Sequence, residues 1–306
     1  MGGEMRALSL VLSVCFLTAC GGVDDSQTSN VDEATGTTTD VTPAEPEGPA
    51  PAALAAVTNG TCPDLSNAGT ITWQSNGAQR SVITVYPAEM TDNMPLIFVW
   101  HPLGGTAAMM VNYLQLQRFA DQHQVIMVVP DLREGAQTWG FYGNPSDDLA
   151  VYDDMRTCMS EQQNIDLYKV STTGMSAGGL WSTYLVMHRA DSLATAFIMS
   201  GGTDPLTLPY KTPTQNIPVL VTWGGTNDTW GQGSYLVEFE KTTMNFRENL
   251  TTDGHYVVGC NHGGGHTIPT EAGVMSELWL LNHTYGKPSP FLESIEGFPS
   301  YCEGPM

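Results

Sequence analysis

Gly174-Met175-Ser176-Ala177-Gly178-Gly179 is the stretch from which the fold of this chain is read. Before it, Lys169-Val170-Ser171-Thr172-Thr173 has the β-branched content of a short strand; after it, Leu180 to His188 carries apolar residues at helical spacing. The serine therefore stands at an abrupt strand-to-helix turn. Such a turn strains the backbone of its central residue, and side chains at positions 174 and 178 would collide with the neighbouring strand and helix, which accounts for the small residues. A hydroxyl projected from that corner is a candidate nucleophile. The bland alternative is a glycine-rich loop with a solvated serine. A bare G-x-S-x-G leaves that alternative open, and the strand before and helix after argue against it.

Outward from the turn, Pro95 to Trp100 and Val125 to Val129 are continuous apolar runs of the sort buried on both faces, and Ala194 to Met199 and Pro218 to Trp223 add two more strands. Thr70 to Trp73 and Arg80 to Tyr86 alternate apolar and polar residues, as half-exposed antiparallel strands do. Helices are predicted over Ala107 to Ala120, Leu149 to Met159, Tyr235 to Asn249 and Glu271 to Leu281. This alternation predicts an α/β chain with a mostly parallel, doubly wound sheet and antiparallel N-terminal edge strands. In such sheets reacting groups collect at the carboxyl ends of strands.

Loops leaving those ends carry the residue types that acyl transfer needs. A serine hydroxyl is a poor nucleophile until a histidine can take its proton, and the histidine needs a carboxylate to fix its tautomer. His266, in Asn261-His262-Gly263-Gly264-Gly265-His266, is the expected base, with His262 and His255 as weaker competitors. His123, His188 and His283 fall in helical or surface contexts where a packed or solvated histidine is the default. Asp228, after Gly224-Gly225-Thr226-Asn227, is the expected acid, and Asp204 is a rival on the same topological reasoning. The order Ser, Asp, His is that of an α/β-hydrolase. His101-Pro102-Leu103-Gly104-Gly105 follows the strand ending at Trp100 and is expected to build an oxyanion hole from the N–H groups of Leu103 and Ala177, since Pro102 has none.

Leu96 to Gly105, Gly174 to Gly179, Gly225 to Asp228 and Gly264 to Pro269 together resemble the polyhydroxybutyrate depolymerases and the feruloyl and acetylxylan esterases of carbohydrate esterase family 1. The resemblance spans about Ser81 to Gly286. It implies an α/β-hydrolase fold and a serine, aspartate and histidine matched by Ser176, Asp228 and His266. The group's oxyanion motif usually reads His-Gly, where this chain has His101-Pro102, which stiffens the loop and leaves Leu103 free to donate. By the same resemblance Trp139 is expected to line the acyl pocket, with a plain core role as the alternative.

The chain opens on Met1 to Arg6, an apolar run from Ala7 to Leu17, and Leu17-Thr18-Ala19-Cys20. This reads as an export signal, too short to span a bilayer, and the final quartet resembles a bacterial lipobox, so lipidation is expected at Cys20. Glu4 departs from the basic pattern, and a start at Met5 would remove it. Residues 1–20 are therefore expected to be a lipoprotein signal, 21–58 an acidic, Pro- and Thr-rich disordered tether, and 59–306 one catalytic domain. A net charge of −21 argues against nucleic-acid partners. A monomer acting on an ester without a cofactor, exported and either lipid-anchored or secreted, is the expectation.

Beyond Cys15 and Cys20, the chain has Cys62, Cys158, Cys260 and Cys302. An even number in an exported chain suggests two disulfides, and sequence alone leaves three connectivities open. Cys260–Cys302 with Cys62–Cys158 is favoured because the first pair would clamp the C-terminal tail onto the histidine loop. Cys260, His262, His266 and His255 could also spell a zinc site, but that reading leaves the serine turn unexplained, so no metal is expected. The other functional class to weigh is an inactive, surface-anchored binding protein that kept the fold. Retention of every triad position speaks against it.

Overall fold

The computed structural model describes residues 48–233 and 236–305, so the signal region, Cys20 and most of the tether lie outside the described residues. The apolar runs form the middle of a nine-stranded sheet. β3 (Leu96–Trp100), β4 (Ile126–Pro130), β5 (Val170–Met175), β6 (Thr195–Met199) and β7 (Val219–Trp223) are buried throughout. β1 (Gly69–Ser75) and β2 (Ala78–Val85) keep the alternating exposure their sequences predict and pair antiparallel at one edge. The order is β1-β2-β4-β3-β5-β6-β7, continued by β10 (Val257–Asn261) and β11 (Cys302–Glu303). From β4 to β10 the neighbours run parallel, while β2 and β11 pair antiparallel with them.

The pleat sorts each strand between two cores. Leu96, Phe98 and Trp100 of β3 pack with α3 (Ser146–Gln163), α4 (Ala177–Arg189) and α5 (Phe239–Thr252). Ile97 and Val99 face α1 (Ala107–Tyr113), α2 (Leu116–His123) and α6 (Ala272–Leu280). Among the described residues no helix is long and apolar enough to cross a membrane.

Several elements differ from expectation. The single helix predicted over Ala107 to Ala120 is two, because Gln115 takes a left-handed φ of 51° between α1 and α2. The break turns Leu116 and Ala120 towards the core that Met110 already faces. β10 is unanticipated, and α5 starts only at Phe239, since Val237–Glu238 (β9) pairs with Thr229–Trp230 (β8).

Residues 48–58 are not tether. Arg156 of α3 donates to Ala52 O at 2.7 Å, Thr157 Oγ1 donates to Ala55 O at 2.9 Å, and Asp154 accepts from both the backbone and hydroxyl of Thr58. Among the described residues the packed region therefore already includes the stretch before residue 58, because main-chain carbonyls there satisfy polar groups of α3 that would otherwise be buried unpaired. Cys62–Cys158 and Cys260–Cys302 are both formed, the favoured connectivity.

Candidate active site

Strand register brings the relevant loops abreast. Trp100 pairs with Gly174, Met175 with Met199, Met199 with Thr222, and Asn261 with Trp223, so β3, β5, β6, β7 and β10 end on one line. The chain order reverses around β3, which lies between β4 and β5, and such switch points leave a crevice at the carboxyl edge.

Ser176 occupies that edge with φ 57° and ψ −120°, a conformation that side-chain-bearing residues avoid. Its N–H donates to Met199 O at 3.0 Å, and its own carbonyl accepts from Leu180 N at 2.8 Å, starting α4. The helix can begin there because its first turn lies directly on β3: a Cβ at Gly178 would stand 2.0 Å from Trp100 O.

The loops after β7 and β10 meet through a second close approach. Gly265 N–H donates to Gly224 O at 2.9 Å, and a Cβ at Gly224 would fall 1.9 Å from Gly265 O. His262 N–H bonds Trp223 O at 2.9 Å, tying the histidine loop to the end of β7. The result places His266 between the other two expected residues. Nε2 is 2.9 Å from Ser176 Oγ, and Nδ1 is 2.6 Å from Asp228 Oδ1. Asp228 is fully buried, and its Oδ2 accepts from Ser200 Oγ and Gly224 N, each at 2.8 Å. Nδ1 faces a carboxylate and so carries the proton, leaving the Nε2 lone pair for the serine hydroxyl.

Ser200 and Phe239 were not anticipated. Ser200 follows directly on β6, so the rule that polar residues at strand carboxyl ends are functional could have flagged it. Phe239 stacks on the His266 ring at 4.5 Å and 14°, and its N–H donates to Asp228 O at 2.9 Å; no pattern in the sequence announces this.

The competitors have other occupations. Asp204 Oδ1 accepts from the N–H groups of Leu206 and Thr207, capping its own turn. His255 packs against the Ile217 backbone, and His262 Nδ1 accepts from Gly264 N at 3.2 Å. Burial lowers the pKa of both imidazoles. Cys260, joined to Cys302, has no thiolate to offer a metal.

In the loop after β3, the Leu103 N–H has no acceptor among the described residues, nor has that of Ala177. Of the two roles open to Trp139, its surroundings fit the core one. It is 1% exposed and packs edge-on against Trp100, and its Nε1–H donates to His101 O at 2.9 Å. A side chain so enclosed supports the loop rather than presenting a face to an acyl group.

No protein-family model matches the chain. Feruloyl esterase D of Neurospora crassa is 29% identical over 167 residues, covering 49% of this chain and 56% of the relative. Feruloyl esterase B of the same organism is 26% identical over 140 residues, covering 44% of this chain and 47% of the relative. The chain thus spans about half the length of these curated relatives. Among solved structures, native pOPH superimposes with a TM-score of 0.65 over 80% of this chain and 97% of the other at 14% identity. A ferulic acid esterase gives 0.53 over 66% and 91% at 12% identity. The fold is that of the α/β-hydrolases, and the curated relatives to which part of the chain is similar in sequence are feruloyl esterases.

Proposed function

We propose that the chain is a serine esterase that hydrolyses carboxylic esters through an acyl-enzyme on Ser176. The observation carrying this reading is the unbroken line of hydrogen bonds from Ser176 Oγ through His266 to Asp228, contributed by three separate loops. His266 Nε2 takes the hydroxyl proton as Oγ attacks the ester carbonyl. The imidazolium that forms is held by the Asp228 carboxylate, whose second oxygen is already oriented by Ser200 and Gly224. Negative charge on the former carbonyl oxygen is met by the N–H groups of Leu103 and Ala177. His266 then gives its proton to the departing alcohol, and water repeats the sequence to release the acid.

The substrate class is an ester carried on a polymer, either a feruloyl or acetyl ester of plant polysaccharide or a polyhydroxybutyrate-like polyester. The names of the sequence relatives favour the former. The enzyme acts as a monomer, held to the cell envelope by a lipid on Cys20 and a tether that precedes the packed stretch.

Replacing Ser176 by Ala is expected to remove hydrolysis of a short-chain aryl ester by a factor of about 10⁴ or more, together with labelling by a phosphonate probe. A Ser176→Ala protein as active as the parent would sink the proposal, and a wild-type protein inert towards both reagents would favour a binding role. Rates on feruloyl esters, acetylated xylan and polyhydroxybutyrate then rank the substrates. Incorporation of labelled fatty acid, lost in Cys20→Ser, tests the anchor.

A further inference from the structure

Oxyanion holes work only if their N–H groups point at the reacting oxygen before it becomes charged, since reorienting a peptide during the reaction would itself cost free energy. The Leu103 N–H belongs to the same planar unit as the Pro102 carbonyl and points the opposite way, so whatever fixes Pro102 O aims Leu103 N–H. Two donors fix it: His101 Nδ1 at 2.8 Å and Gly105 N at 2.9 Å. The preceding peptide is held in turn by Trp139, whose Nε1–H reaches His101 O at 2.9 Å and whose ring lies 4.8 Å from the imidazole.

The two side chains doing this are buried to within 1% and have no part in the triad. Nδ1 of His101 faces a carbonyl and so must carry the proton. Burial also lowers the pKa of this imidazole, which keeps it neutral with that one proton in place. Trp139 is located by its neighbour Gly140, whose N–H donates at 2.7 Å to Asp148 Oδ2, while Asp148 Oδ1 is paired with the buried Arg80 at 2.6 Å. A chain of buried contacts thus runs from an ion pair beside β2 to the loop after β3.

We propose that His101 and Trp139 are positioning residues of the oxyanion cradle, holding the His101-Pro102-Leu103 backbone so that the Leu103 N–H is aimed at the developing oxyanion. This rests on the esterase reading above and adds to it residues that touch neither substrate nor triad. It also accounts for the proline at 102. A residue without an N–H cannot offer a competing donor inside the loop, and its restricted φ suits a backbone that must not move.

The test compares His101→Leu and Trp139→Phe, which delete a donor and keep an apolar body, with His101→Asn, whose side-chain amide can stand in for Nδ1–H. We expect kcat to fall about tenfold or more in the two deletion variants, a fraction of the loss on removing an oxyanion donor outright. KM should stay within about twofold, because the ground-state carbonyl leans little on the cradle. Affinity for a boronic acid, which forms a tetrahedral adduct on the serine, should fall in parallel with kcat/KM, and His101→Asn should recover much of both. A purely structural role would lower the melting temperature and leave kcat and boronate affinity of the folded protein unchanged, and that result overturns the proposal. If His101→Leu does not fold, Trp139→Phe and His101→Asn carry the comparison by the same readouts. A wild-type protein unable to hydrolyse any aryl ester would instead defeat the esterase reading itself.

Discussion

The serine turn after β5 and the paired loops after β7 and β10 deliver their side chains to one point by different means. The turn is fixed from within: Ser176 is strained, Gly178 lies on Trp100 O, and both neighbours are central strands of the core. The acid and base loops are fixed from outside, by the approach of Gly224 to Gly265 and by the Cys260–Cys302 bond that joins β10 to the C-terminal tail. One component cannot move without disturbing the sheet, whereas the other can shift while the sheet stays intact. Stability and activity should therefore be coupled in the first region and separable in the second.

Substitutions at the two close approaches test that separation most severely. Gly178→Ala puts a methyl group 2.0 Å from a backbone oxygen, so β3 or α4 must yield; we expect activity at background and a markedly lower melting temperature. Gly224→Ala makes a similar collision, 1.9 Å from Gly265 O, but between two loops. Here kcat should drop about 100-fold, the scale of an ångström's misplacement of a reacting group, with a much smaller change in melting. Equal losses of stability at the two sites would refute the distinction. Gly273→Ala, on α6 where a Cβ meets nothing within 4 Å, is the neutral control.

The disulfides sharpen the same contrast. Removing either, as Cys→Ala pairs, should reduce unfolding free energy by about 3–5 kcal/mol, somewhat more for Cys62–Cys158, which closes the longer loop of 96 residues against 42. Only the loss of Cys260–Cys302 should also lower kcat of the folded protein, since β10 leads directly into the loop carrying His266. Denaturant midpoints paired with initial rates would separate the two effects.

How legible each part was follows from where its constraint lies. The turn at Ser176 could be read because its requirements, small residues between a strand and a helix, occupy six consecutive positions. Asp228 was recognisable as a residue type after a strand and His266 as the histidine of a glycine-rich loop; Ser200, directly after β6, carried the same signal as Asp228, whereas Phe239 acts across the fold and leaves no local pattern. β10 escaped notice because Val257-Val258 is a short apolar run followed at once by Gly259. The docking of residues 48–58 was invisible for a different reason: the atoms involved are carbonyls of Ala52, Ala53 and Ala55, and main-chain groups are common to every sequence. The choice between a pocket role and a core role for Trp139 stayed open in the sequence, since sequence distance cannot say that its indole reaches His101.

Acid should act on the two kinds of region separately as well. His283 is 1% exposed, donating from Nδ1 to Trp279 O at 2.7 Å and accepting at Nε2 from Ser289 Oγ at 2.8 Å. Burial pushes its pKa from the usual 6.5 down to about 4, and His101 and His255 shift the same way. Between those values the unfolded chain binds protons that the folded chain refuses, so stability present at neutral pH is lost as pH falls from about 6.5 towards 4. For His283 alone the loss by pH 5 is about 2 kcal/mol, to be read as a fall in denaturant midpoint between pH 7 and 5. His283→Gln, which has no such proton to take up, should flatten that fall without altering kcat at pH 7. Turnover depends on the Ser176–His266–Asp228 line at the mouth of the site, which the hydrogen bonds of His283 do not reach, and so the kcat profile against pH should be the same in His283→Gln as in the parent. If the substitution moved both profiles together, the packed base of α6 and the catalytic edge would be one cooperative unit, and the division between core-held and loop-held chemistry would fail.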